Sequence, residues 1–307
     1  MQKLCLEVAG GRARILIHTE LNGLVESLSH TFPRRYIPRY IIREQCPQGG
    51  QDAEVVWLEG EEFIVAGYVL NNEGPDTYVV SGPDPAPYVN ESPVFFLLQV
   101  AARALIKKNM LVFTDTAALE VRGGAVLLAG YPHTGKSTLT ALAYKRGVRV
   151  LSTENTVVAF EKSPVVIDGT SILVYDPEIK KLYDAQLTPD EATRHGYELI
   201  DLDKRQGPIR PAPVSKILIL HSSFSSRGLS YSPVKGRKVK KTLWYFATGL
   251  IKGVDYYDPA PLVLSDLRTE RKIAVMIDAL SRTSGERMFE VYGSPLEILE
   301  AILEGRL

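Results

Sequence analysis

The apolar run Ala125-Val126-Leu127-Leu128-Ala129 passes directly into Gly130-Tyr131-Pro132-His133-Thr134-Gly135-Lys136-Ser137. That segment has the form G-x-x-x-x-G-K-[ST], which requires a strand before it and a helix after it. Both are legible. The apolar run suits a strand buried on both faces. From Lys136 to Arg146, strong helix formers put Leu139, Leu142 and Ala143 on one side, Lys145 and Arg146 fall in the last turn, and Gly147 follows as a cap. Such a loop aims successive backbone N–H groups and the positive end of a helix at phosphate oxygens. The expected cradle is Gly130, His133, Thr134, Gly135, Lys136, Ser137 and Thr138. Lys136 would reach the terminal phosphates, and Ser137 would join the shell of a Mg²⁺ ion. The structural alternative is a glycine-rich turn that only joins strand to helix.

At 307 residues, with 45% apolar and 23% charged residues, the chain has the composition of a soluble globular protein of one large or two ordinary domains. Lys plus Arg and Asp plus Glu both number 36, so no global field favours nucleic acid or a membrane, and neither is an expected partner. Cys5 and Cys46 have no metal-site or disulfide-framework spacing and are expected as ordinary thiols in a reducing compartment. With no signal-peptide pattern and no apolar run long enough to span a bilayer, the expected location is cytoplasmic.

Leu4, Leu6 and Val8 alternate, as do Ala13, Ile15 and Ile17, and Gly10-Gly11 between them predicts a hairpin, followed by a helix over 21–29. Val55–Leu58 and Phe63–Val65, separated by Gly60-Glu61-Glu62, read as a second hairpin. The Pro-rich stretch 81–93 is turn and polyproline chemistry, a domain boundary or a surface crossing. A helix is predicted from Val94 to Lys108, then a hairpin over 119–128 turning at Gly123-Gly124. Further strands are expected at 148–151 and 156–160, and a hairpin at Asp168-Gly169. These tight turns predict a mixed sheet, because a purely parallel one needs long crossovers. The polar, proline-bearing stretch 176–213 is expected as a lobe or mobile loop before the apolar strand 214–220. Ile273, Met276, Ile277 and Leu280 mark an amphipathic helix, Met288–Tyr292 a strand, and Ser294-Pro295-Leu296-Glu297 a capping box that opens the last helix.

From Asp115 through Val158 the sequence resembles the core of HPr kinase/phosphorylase-like proteins: a hairpin into the glycine loop, its helix, and then Arg-Gly-Val-Arg-Val-Leu-Ser-Thr-Glu-Asn. The resemblance implies an α/β fold with a P-loop core on a mixed β-sheet, shared with phosphoenolpyruvate carboxykinase. The core is expected over 91–307, with a smaller N-terminal α+β region over 1–90. It implies a kinase using ATP, or another polyphosphate donor, with Mg²⁺ and a hydroxyl acceptor on a small metabolite or a protein serine. The sequence departs from the family twice. Asp115 stands where the family has a histidine, and Thr153-Glu154 stands where it has paired acids. Arg210-Pro211 is similar, over a short match, to the family's arginine-proline loop.

Phosphoryl transfer needs phosphate positioning, a metal and a group that takes the acceptor proton. Lys136 is expected in the first role, Ser137 and Glu154 in the second, and Asp115 in the third. The bland alternatives are a solvated turn for Glu154 and a strand turn for Asp115. Asp168 is a rival acid, read more simply as a hairpin turn. His221-Ser222-Ser223 could line an acceptor pocket or close its own turn. Lys235, Arg237, Lys238, Lys240 and Lys241, ahead of Trp244-Tyr245-Phe246, read first as a solvated loop entering a buried strand and second as a surface for nucleic acid or an acidic protein. Beside the kinase stand a nucleotide-binding sensor without transfer, suggested by the missing second acid, and a mechanical ATPase, for which no coupling motif is present.

Overall fold

The computed structural model describes residues 1–47, 49–223, 228–252 and 262–307. The chain divides into two compact units. Unit 1 is Met1–Val112 with Ala247–Met276, and unit 2 is Phe113–Phe246 with Ile277–Leu307. The division falls at 112/113 rather than at the Pro-rich stretch around residue 90.

Unit 1 contains β1 (Gln2–Val8), β2 (Ala13–Thr19), α1 (Leu24–Ser29), α2 (Thr31–Tyr36), β3 (Tyr40–Arg43), β4 (Ala53–Leu58), β5 (Ile64–Val69), β6 (Asp76–Ser81) and α3 (Ser92–Lys107). The six strands order as β3-β1-β2-β4-β6-β5. The β1–β2 hairpin forms as expected. The second expected hairpin does not: β4 lies parallel to β2 and β6, and β5 turns back on β6 instead. Cys5 and Cys46 form a disulfide, which overturns the reading of two free thiols. The antiparallel register of β1 on β3 sets Cys5 opposite Arg43 and so carries Cys46 within bonding distance. Near-continuous burial of α3 follows from its apolar residues on all sides, and Arg103 within it is 0% exposed. That guanidinium makes four hydrogen bonds: it donates to Asp76 at 3.0 Å, Asp266 at 2.9 Å, Thr269 at 2.9 Å and the Leu264 carbonyl at 2.8 Å.

β7 (Met110–Phe113) leads into unit 2, which holds β8 (Thr116–Val121), β9 (Gly124–Ala129), α4 (Lys136–Lys145), β10 (Arg149–Ser152), β11 (Thr156–Phe160), β12 (Pro164–Gly169) and β13 (Ile172–Tyr175). Then come α5 (Glu178–Leu182), β14 (Glu191–Ala192), β15 (Glu198–Asp201), α6 (Leu202–Gln206), β16 (Ala212–Ser222) and β17 (Ser230–Pro233). α7 (Arg237–Lys252) and α8 (Leu267–Ser284) follow, and β18 (Met288–Gly293) and α9 (Pro295–Glu304) close the chain. The sheet is mixed. β8 and β9 are the expected hairpin, β16 lies parallel to both β9 and β18, and its first residues pair antiparallel with β12. One face packs on α4 and α9 through Leu139, Leu142, Leu218, Leu220, Val291, Ile298 and Leu299, each buried. A fully buried side chain of this kind stabilises by about 1.5–3 kcal/mol.

Two readings fail in unit 2. Asp168-Gly169 is no hairpin turn but the end of β12, and β13 pairs with β15 in a small sheet, β13-β15-β14, that gives the 176–213 stretch its own structure. The basic run from Arg237 onward and Trp244-Tyr245-Phe246 form α7, not a loop and strand. Within that helix Lys238 pairs with Glu290 at 2.7 Å and Lys240 with Asp278 at 2.5 Å. Among the described residues no helix is long and apolar enough to cross a membrane.

Candidate active site

β9 ends at Ala129, residues 130–135 form the loop, and α4 begins at Lys136, so the strand, loop and helix read from the sequence are in place. The loop is tied to the end of β16: the Ser222 N–H donates to the Thr134 carbonyl at 3.3 Å, and the Ser222 hydroxyl bonds the same oxygen. Gly135, which caps α4, has φ +84°, and a Cβ there would overlap the Ser222 hydroxyl. Thr134 closes the turn within the loop, its hydroxyl donating to the Tyr131 carbonyl at 2.8 Å. His133 sits at φ +64° on the exposed outer turn. Ser137 is half-buried and Thr138 buried in the first turn of α4.

Lys136 is the centre of the arrangement. It is only 6% exposed, and its Nζ donates to the carbonyls of Gly130 at 2.5 Å and Tyr131 at 2.9 Å. Asp115 Oδ1 lies 3.9 Å away. Burial pushes the ammonium below the ordinary lysine range, and the charges of Glu154 and Asp115 pull it part of the way back. Lys136, Asp115 and Glu154, picked from three separate stretches of sequence, therefore share one electrostatic neighbourhood.

The backbone explains how they meet. Asp115, at φ +50°, precedes β8 and accepts the Gly130 N–H through its carbonyl at 3.3 Å. The Glu154 carbonyl accepts from the Thr116 N–H at 2.8 Å, which ties the turn after β10 to the start of β8. Thr170, unmarked in the sequence, organises that turn: its hydroxyl accepts the Glu154 N–H at 2.8 Å and the Asn155 N–H at 3.1 Å. The Thr153 hydroxyl, at the position of the missing second acid, is committed to Thr170 at 3.0 Å. Asp168 is buried inside β12, opposite Val157 of β11.

No family model matches the chain, and no curated protein matches it. Among solved structures it resembles the HPr(Ser) kinase/phosphatase from Coxiella burnetii, with 14% identity and a TM-score of 0.30 over 64% of this chain and 90% of that one. This is at most a distant likeness of fold.

Among the described residues no group of three or more His, Cys, Asp or Glu is placed to hold a metal ion unaided. Mg²⁺ is commonly bound by one or two protein oxygens and completed by phosphates and water, so it does not require such a group. The Ser137 hydroxyl follows Lys136 in the first turn of α4, and the charge of Glu154 acts on the Lys136 ammonium. A second aromatic feature was not read from the sequence: the Tyr131 ring lies 5.1 Å from Tyr245 and 6.1 Å from Phe246 of α7.

Proposed function

We propose that this chain is a nucleotide-binding phosphotransferase that moves the terminal phosphoryl group of ATP, bound with Mg²⁺, to a hydroxyl of a small metabolite or a protein serine. One observation carries the reading: a buried lysine ammonium at the head of a strand–loop–helix, between loop carbonyls and two carboxylates. A buried cation whose charge is disfavoured by desolvation is poised to gain from a polyanion.

In this reading Gly130, His133, Thr134, Gly135, Ser137 and Thr138 surround the phosphates, and Lys136 exchanges its loop carbonyls for terminal phosphate oxygens. Ser137 and Glu154 would hold Mg²⁺, whose charge offsets that of the phosphates. Asp115 accepts the proton of the acceptor hydroxyl. That oxygen bonds to the terminal phosphorus, the bond to the bridging oxygen breaks, and ADP leaves with the electron pair. Where the family resemblance implies paired acids, Glu154 stands without a second, and the Thr153 hydroxyl in its place is tied to Thr170. That commitment favours a second reading, a nucleotide sensor that binds without transfer.

Phosphorus NMR of the protein with Mg²⁺, ATP and a pooled metabolite extract separates the two, with Lys136→Ala as the blank. A new phosphoester peak absent from the blank supports transfer. ATP that binds but is never consumed, with a serine-containing protein extract also supplied, selects the sensor. Removal of the Lys136 charge should weaken ATP binding roughly 10- to 150-fold, the equivalent of about 1.5–3 kcal/mol for a charged hydrogen bond.

A further inference from the structure

Phosphate binding leaves the aromatic side of the site unexplained. Tyr131 follows Gly130 directly and is 51% exposed, yet its ring is seated against Tyr245 and Phe246. Its carbonyl holds the Lys136 ammonium at 2.9 Å, and the Tyr245 phenol lies within electrostatic reach of Asp115. The ring pair therefore stands beside the groups assigned to the terminal phosphate and the acceptor proton. The other end of the loop, Gly135, abuts Ser222 instead. A nucleobase lies a whole polyphosphate away from the terminal phosphate, so the surface next to Tyr131 is acceptor surface.

A second, independent group lies on the same side. Lys238 precedes Tyr245 by two helical turns and so shares its face of α7. Lys238 bonds Glu290 at 2.7 Å, Glu290 pairs with His221 at 3.6 Å, and the His221 ring stacks on Tyr292 at 4.7 Å. β9, β16 and β18 are adjacent and parallel, so these groups gather outside the carboxyl ends of neighbouring strands, where open α/β sheets bind ligands. A half-exposed aromatic ring seated on α7, with paired charged groups two helical turns along the same face, fits a molecule with a flat C–H face and several hydroxyls around its edge.

We propose that the acceptor is a cyclic polyol, a monosaccharide or cyclitol, whose ring lies on Tyr131 with the reacting hydroxyl toward Asp115. The inference rests on the phosphotransferase reading. It assigns Tyr131 a specificity role that an extended serine, having no ring to stack, would not use.

The test supplies Mg²⁺ and ATP with a panel of neutral monosaccharides and cyclitols, beside glycerol, free serine and a serine-containing peptide, and follows phosphoester formation. Wild type, Tyr131→Phe and Tyr131→Ala are compared, with ATP affinity measured by calorimetry and folding by thermal melts. The expected result is transfer to a cyclic polyol in preference to the linear alcohols. Tyr131→Ala should raise its KM about three- to tenfold, Tyr131→Phe should leave KM near wild type, and ATP affinity should hold in both. Preference for glycerol, serine or the peptide overturns the inference, as does an unchanged KM in Tyr131→Ala, or ATP binding with no cyclic polyol consumed. Failure of wild type to bind ATP would instead remove the phosphotransferase reading beneath it.

Discussion

Gly135 meets two demands that no other residue satisfies together: a left-handed backbone at φ +84° and room for the Ser222 hydroxyl where a Cβ would go. We expect Gly135→Ala to cost about 2–4 kcal/mol, the sum of backbone strain and overpacking. In a Ser222→Ala background the added cost should be smaller, because part of the obstruction is gone. Chemical denaturation of the double-mutant cycle measures the difference, and strict additivity would show that the loop and β16 are not in contact. For Lys136 the expectation concerns pH. Burial favours the neutral amine, so its charge is lost at a pH below the ordinary lysine value of 10.5. ATP affinity should therefore fall as pH rises through that lowered value, and binding in the alkaline range should take up protons. Calorimetry in buffers of different ionisation enthalpy reads that uptake, and its absence would place Lys136 away from the phosphates. At this scale Lys136 was legible from its place in the glycine loop, whereas Asp115 and Glu154 were reached through the family resemblance, and the structure sets Asp115 3.9 Å from the Lys136 ammonium. Thr170 was not legible, because a threonine that serves a turn by accepting backbone N–H groups looks like any other threonine.

α9 begins with a complete capping box: the Ser294 hydroxyl accepts the Glu297 N–H at 3.3 Å, and the Glu297 carboxylate accepts the Ser294 N–H at 3.2 Å. We expect Ser294→Ala to lower stability by about 1 kcal/mol. Because α9 packs against α4, amide exchange in α4 should quicken as well; protection of α4 left unchanged would mean that the two helices open independently. The elements read correctly are those with a local signal, such as the Gly123-Gly124 hairpin and this box. Those misread were decided by distant partners. Gly169 looked like a turn glycine, but it serves a close approach, since a Cβ there would overlap Ser152 of β10. In α7, Val239, Leu243, Phe246 and Leu250 are buried at helical spacing, and the strand-forming bias of three adjacent aromatics masked that period. The parallel seat of β4 on β6 leaves no mark at all in the intervening turn.

At the scale of the whole chain, the disulfide joins residues 41 apart in unit 1. Loop-closure entropy assigns it about 4 kcal/mol, so Cys5→Ser should lower the melting temperature by several degrees, and a reducing agent should do the same to wild type alone. Disulfides persist in oxidising compartments and inside hyperthermophiles, and a protein indifferent to reductant would contradict the bridge. Arg103 offers a parallel test. Its removal takes one of two cations from Asp76, 1% exposed, and leaves Lys107 at 2.9 Å, so Arg103→Ala should cost up to about 3 kcal/mol by denaturant titration. Neither the bridge nor this network was legible, because each joins residues whose proximity is created by folding. The partners of Arg103 also carry a consequence for synthesis. Leu264, Asp266 and Thr269 leave the ribosome long after α3, with the Phe113–Phe246 part of unit 2 translated between them. The first unit to be started is thus completed only after most of the second has been made. During elongation its buried guanidinium waits for its mates, and a polypeptide cut short anywhere before residue 264 would expose that vacancy to quality-control proteases.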